Sequence, residues 1–141
     1  MKRIVSVWPA VIVFCAGCAA LTGTERNTST PAAALIGHWR MTDGSGEVYF
    51  SSGGTYRFID RDGNAGAAAW RVIKEDPGER RIVTVIRLKE LGGEPVEEET
   101  ELMVEGTFSA DYTIHAGESI GEGGIRAGSF TMEYLNPAES P

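Results

Sequence analysis

Arg81-Ile82-Val83-Thr84-Val85-Ile86-Arg87-Leu88 is the stretch that decides the fold. Residues 82–86 are all β-branched, a composition that crowds a helix and packs well on a pleated surface. The turn Asp76-Pro77-Gly78-Glu79 precedes it, and Gly92-Gly93 and Pro95 break it afterwards. It is therefore a strand of ordinary length, bounded on both sides.

The same rhythm extends outward in both directions. Toward the N-terminus, Ala68, Trp70 and Val72 mark a fourth strand. The loop Asp60-Arg61-Asp62-Gly63-Asn64 precedes it, with Asp-Gly as a hairpin signal. Tyr56 and Phe58 define a third strand, and Val48 and Phe50 a second, with Ser51-Ser52-Gly53-Gly54 turning between them. Before the turn Asp43-Gly44-Ser45-Gly46, the residues Leu35, Gly37, Trp39 and Met41 share one face of a first strand. Toward the C-terminus, Leu102 and Val104 lie on a sixth strand. Phe108, Tyr112 and Ile114 suggest a seventh, and Phe130, Met132 and Tyr134 an eighth. Residues 116–124 read as a flexible loop and the tail 136–141 as frayed. No segment carries a helical period. Residues 35–135 are thus expected to form one all-β domain, a single small antiparallel β-barrel of about eight strands. A sandwich of similar strands is the alternative. Closing the barrel would remove exposed strand edges, and eight strands enclose either packed side chains or one small ligand.

The N-terminus carries an address. Lys2 and Arg3 precede the apolar stretch Ile4 to Phe14, which is followed by the small residues Ala16 and Gly17. A charged start, a short apolar middle and a small-residue end make a secretory signal. The stretch falls short of the roughly 20 residues that span a bilayer. Its end, Cys15-Ala16-Gly17-Cys18, resembles a bacterial lipobox, with Cys15 where that motif usually has Leu. The resemblance implies removal of residues 1–17, diacylglycerol on the Cys18 sulfur and acylation (palmitate or a similar chain) of the new amino group. The alternative is an ordinary secreted protein cut near Ala20. Ala19, where an Asp would signal inner-membrane retention, implies the outer membrane, facing the periplasm. Several acyl chains hold where one binds only marginally. Residues 18–34, the lipidated cysteine followed by small, polar residues interrupted by Pro31, read as a flexible tether.

Removing residues 1–17 takes the formal charge from −7 to −9. Such an acidic chain repels phosphate backbones and excludes nucleic acid as a partner. With Cys15 discarded and Cys18 acylated, no thiol is left for a disulfide.

Gly37-His38-Trp39 resembles the Gly-x-Trp signature of lipocalins and lipocalin-like bacterial domains. The run from Gly46 to Tyr56 looks like a hairpin of those bacterial domains, and Asp111-Tyr112 is similar to part of a second lipocalin motif. The resemblance implies a barrel whose floor is closed by a late Arg packed across the Trp. Arg126 is the available residue, although it precedes the last expected strand and no C-terminal helix follows. A minimal lipocalin-like barrel is what this pattern implies.

Other signals carry less chemistry. Gly117-Glu118-Ser119-Ile120-Gly121 matches Gly-x-Ser-x-Gly, but a nucleophile elbow needs a strand before it, a helix after it and a later His. Both histidines, His38 and His115, precede Ser119. They lack the further ligands a zinc site needs, and His38 is expected to face solvent. Asp60, Asp62 and Asn64 evoke a calcium loop, but Ala65 and Arg71 stand where Gly and Glu are required. Glu94, Glu97, Glu98, Glu99, Glu101 and Glu105 read as a solvated hairpin edge. Trp39, Phe50, Tyr56, Phe58, Trp70 and Phe130 are the candidate ligand-lining residues. The same set also serves as a close-packed core. The chain is thus expected to be no enzyme and to need no cofactor or metal. Its expected partners are the membrane, reached through the lipid anchor, and either a small apolar ligand or an envelope protein.

Overall fold

A computed structural model of the protein describes residues 26–141. The signal segment 1–17, Cys18 and the tether up to residue 25 lie outside the described residues. The strands are β1 (Gly37–Met41), β2 (Gly46–Phe50), β3 (Thr55–Asp60), β4 (Ala65–Asp76), β5 (Arg81–Leu91), β6 (Glu94–Pro95), β7 (Glu101–Phe108), β8 (Ile114–Ile120) and β9 (Arg126–Asn136). All neighbours pair antiparallel in the order β4-β3-β2-β1-β9-β8-β7-β5, and β4 also pairs with β5. That last pairing closes an eight-stranded up-and-down barrel, so the sandwich is excluded. β6 is a two-residue addition to the β5 edge.

Each hairpin has a local cause. Between β3 and β4, Asp60 accepts from the backbone N–H of Asp62 and of Asn64 (both 2.9 Å), so its carboxylate holds its own loop. Between β4 and β5, Asp76 accepts from Glu79 N–H, and Arg80 takes a left-handed backbone at φ 52°. The β4–β5 hairpin is the longest, and its register shifts twice, between Ala67/Ala68 and Val72/Lys74. Such bulges bend and coil a strand pair and help a sheet close on itself.

Two expectations change. Residues 116–120, read as loop, belong to β8 and pair on both sides, with β7 and with β9. Phe108, Tyr112 and Ile114 do not share a strand: Phe108 ends β7, Tyr112 lies in the connection and Ile114 opens β8. The inward residue of that rung is His115, opposite Phe108. Ser119 therefore sits inside β8 between Val104 and Gly128, not at a strand-to-helix turn.

The ordered chain also begins earlier than residue 35. Pro31–Leu35 form a short helix, α1, with Thr30 as its N-cap (Ala33 N–H to Oγ1, 3.1 Å) and Pro31 in its first turn. Pro31, Ala34 and Leu35 are buried. The expected tether thus ends in a plug against one end of the barrel. At the other terminus, Glu139 accepts from Ser52 N–H (2.7 Å), which ties the tail to the β2–β3 turn.

Packing concentrates at that plugged end, the floor. Trp39, Phe108, Leu35, Ile82 and Pro31 are fully buried there. Trp39 donates from Nε1 to the Leu35 carbonyl (2.8 Å), and its ring meets Tyr134 edge-on at 5.4 Å and Phe108 at 5.9 Å. Gly37 has φ 132°, and a Cβ there would lie 2.9 Å from both the Asn136 carbonyl oxygen and the Tyr134 ring. Gly37→Ala is accordingly expected to destabilise the fold by about 1–3 kcal/mol, read as a lower denaturant midpoint with an unchanged slope.

Candidate functional site

Above the floor the packing changes. Tyr56, Phe58, Ile86, Leu88, Leu102 and Phe130 are only partly buried, although they line the space inside a closed barrel. The reason is empty volume. A cavity of about 180 Å³ lies inside, with Leu35, Phe50, His115 and Met132 toward the floor and Met41, Val48, Leu102, Val104 and Phe130 on its walls. A second, more open apolar space of about 380 Å³ forms the mouth, between Phe58, Ala68, Leu88 and Thr100. Tyr56, Ile86 and Leu102 line both. For scale, an apolar protein cavity of about 150 Å³ accepts benzene.

The expected residues divide. Phe50, Tyr56, Phe58 and Phe130 line this space. Trp39 and Trp70 do not. Trp39 is sealed beneath it, and Trp70 is tied by Nε1 to the Ser51 carbonyl (3.0 Å) with its ring edge-on to Phe50. His115, Thr84 and Ser119 are polar lining residues outside the expected set, and apolar ones such as Met41, Val48 and Ile86 join them. The alternation of β8 places His115 and Ser119 on one face, a signal masked by the glycines of residues 116–124, which resemble a loop.

The floor arginine is also a different residue. Arg126 lies on the outside, half-exposed or more, and pairs with Glu118. Arg26 takes the expected position. Its guanidinium lies 3.7 Å from the Tyr134 ring centroid and 5.5 Å from that of Trp39. It donates to the carbonyls of Tyr112 (2.7 Å) and Ala34 (2.6 Å). Tyr112 has the left-handed φ of 60°, so the loop turns its carbonyl toward the arginine. Asp111 braces that loop by accepting from Ser109 Oγ (2.8 Å) and Thr113 Oγ1 (2.7 Å), and these bonds hold its carboxyl near 2. The Gly-x-Trp and Asp-Tyr motifs thus meet at the floor, joined by an arginine from the N-terminal side. Burial lowers the Arg26 guanidinium, opposed by Tyr134 and Asp111, and an arginine stays charged regardless.

His38 does not stand free in solvent as expected. It stacks on Tyr49 at 4.1 Å, bonds Glu47 Oε1 at 2.5 Å and meets Asn136 Nδ2 at 3.1 Å. Part of the glutamate run is paired: Glu101 with Arg87, and Glu99 with Lys89 at 2.8 Å. These exposed pairs contribute little each. Among the described residues no cluster of metal-ligating side chains is present.

His115 is the unusual group. It is 2 % exposed, packed 4.2 Å from the Phe108 ring and 5.4 Å from Phe130, and its Nδ1 has no hydrogen-bond partner. Burial pushes the imidazole down to about 4, with the Thr107 backbone opposing. A base whose folded value lies below its unfolded value of 6.5 binds fewer protons when folded. Its contribution to stability is full above pH 6.5 and is lost as pH falls toward 4. A shift of this size corresponds to about 3 kcal/mol. Stability of the protein is expected to fall between those pH values, and His115→Phe is expected to flatten that slope in denaturant titrations.

Fold and site together define a closed lipocalin-like barrel, sealed at one end and hollow toward the other. No family model, no curated protein and no solved structure matches the chain.

Proposed function

We propose that the protein is a membrane-anchored periplasmic lipoprotein whose lipocalin-like barrel carries a small apolar ligand. The observation that supports ligand carriage is the apolar space that runs from the floor to an open mouth. A barrel serving only as an envelope interaction partner would need no such void, since interiors otherwise pack closely.

The anchor in this reading is lipid on Cys18, after removal of residues 1–17, at the outer membrane. Residues 19–25 separate Cys18 from Arg26 and reach at most about 25 Å when extended. Because Arg26 sits at the floor, the floor would be the membrane-proximal end and the mouth would open away from it. Metabolic labelling with a clickable palmitate analogue tests the anchor, with label expected on the natural chain and absent from Cys18→Ser.

Titration with the neutral fluorophore N-phenyl-1-naphthylamine tests the carriage. Saturable, blue-shifted emission at one probe per chain is the expected result. Emission that rises only linearly with probe would count against a defined site.

A further inference from the structure

We propose that the ligand is a neutral, mainly apolar molecule carrying one hydroxyl, held by a hydrogen bond to His115 deep in the barrel. The inference rests on the ligand-binding reading above and adds the chemical class of the occupant.

Three observations carry it. First, three of the four polar side chains that line the cavity share one sector, the fourth being the Tyr56 hydroxyl on β3. Thr84 on β5 and Ser119 on β8 flank Val104 on β7 in a single rung, and His115 lies four residues below Ser119 on the same strand. The rung between them is Gly106 opposite Gly117. A Cβ on Gly106 would lie 2.6 Å from His115 Cε1 and 2.7 Å from Nε2. The imidazole thus occupies the space of the side chain absent from Gly106, while a Cβ on Gly117 would meet the backbone of Glu105 and Gly106 instead.

Second, the His115 Nδ1 is buried and without a partner in good hydrogen-bonding geometry, while the Thr107 backbone stands against the imidazole and favours its protonated form. Leaving such a group unsatisfied costs about 1–3 kcal/mol, which a polar atom on an occupant would offset. A neutral imidazole offers one donor and one acceptor, and a hydroxyl is both. It therefore suits either nitrogen, and it suits Thr84 and Ser119 in the same way.

Third, charge argues against an anion. No lining residue of cavity or mouth is charged, and a carboxylate without a partner is costly to bury. The loops around the mouth carry Asp43, Asp62, Glu94, Glu97 and Glu98. Of the bases nearby, Lys89 and Arg126 are already paired with Glu99 and Glu118, and Arg61 stands near Asp43, so acids outnumber bases at the rim. An acidic rim disfavours the approach of anions such as free fatty acids.

The test uses one skeleton with three substituents: naphthalene, 1-naphthol and 1-naphthoate, titrated into the full-length protein in detergent at neutral pH by isothermal calorimetry. The expected order is 1-naphthol tighter than naphthalene by about five- to tenfold, the worth of one hydrogen bond, with 1-naphthoate unbound. In His115→Phe, verified as folded by its melting curve, the two neutral compounds should bind alike. Naphthol no tighter than naphthalene in the natural protein would overturn the hydroxyl assignment while leaving ligand carriage intact. Naphthoate as the tightest of the three would overturn it in favour of an anionic cargo. Failure of all three to bind would remove the carriage reading itself, and the inference with it.

Discussion

Trp39→Ala is expected to destabilise the protein by about 3–5 kcal/mol, the usual cost of deleting a large buried aromatic. For a domain of this size that is a fall of about 12–20 °C in Tm, taking roughly 4 °C per kcal/mol. The estimate is at the high end because three losses coincide. The ring is 0 % exposed and fills the floor between Phe108 and Tyr134. Its Nε1 is the donor to the Leu35 carbonyl at the end of α1. It is also one of two aromatic faces against the Arg26 guanidinium. With Trp39 gone, α1 and Arg26 lose their seat, and the barrel is expected to open at both ends. Trp39→Phe separates the effects: it keeps an aromatic face but removes the hydrogen bond, and should cost distinctly less. Thermal unfolding followed by near-ultraviolet circular dichroism reads both. A loss below about 1 kcal/mol for Trp39→Ala would mean that this ring is not the keystone of the floor.

Val104→Phe is expected to abolish probe uptake without unfolding the protein. Val104 lines the cavity between Thr84 and Ser119. Extra carbons forced into a filled core cost about 1–3 kcal/mol, but here a ring would enter empty space and gain contacts. Tm should hold or rise while the Kd for N-phenyl-1-naphthylamine rises by at least about tenfold, which is about 1.4 kcal/mol. A lowered Tm with unchanged binding would show that the probe sits elsewhere.

The strands were legible because one face of each meets the barrel interior and the other meets water. That alternation is plain in Tyr56 and Phe58, in Leu102 and Val104, and in Phe130 and Met132. It fades in β8, where His115, Gly117 and Ser119 are the inward set. Glycine and small polar residues there look like a loop until pairing with β7 and β9 is known. The floor was half-legible. Gly37 and Trp39 announced it, but the arginine that packs on Trp39 comes from before the barrel, in a run of small residues without any period. Its position depends on a carbonyl at Tyr112, which is 86 residues away in sequence. Contacts of that range leave no local pattern. The cavity was legible as an aromatic set and no further, because the same residues serve a filled core equally well. The gap becomes visible only once the barrel is closed and Tyr56, Ile86 and Leu102 are seen to line it while only partly buried.

Native mass spectrometry of the protein, purified gently from its own envelope, decides whether the hollow barrel carries a ligand. One discrete added mass per chain is expected, lost on unfolding and absent from Val104→Phe. A bare mass for the well-folded natural chain, unchanged after incubation with 1-naphthol, would contradict ligand carriage.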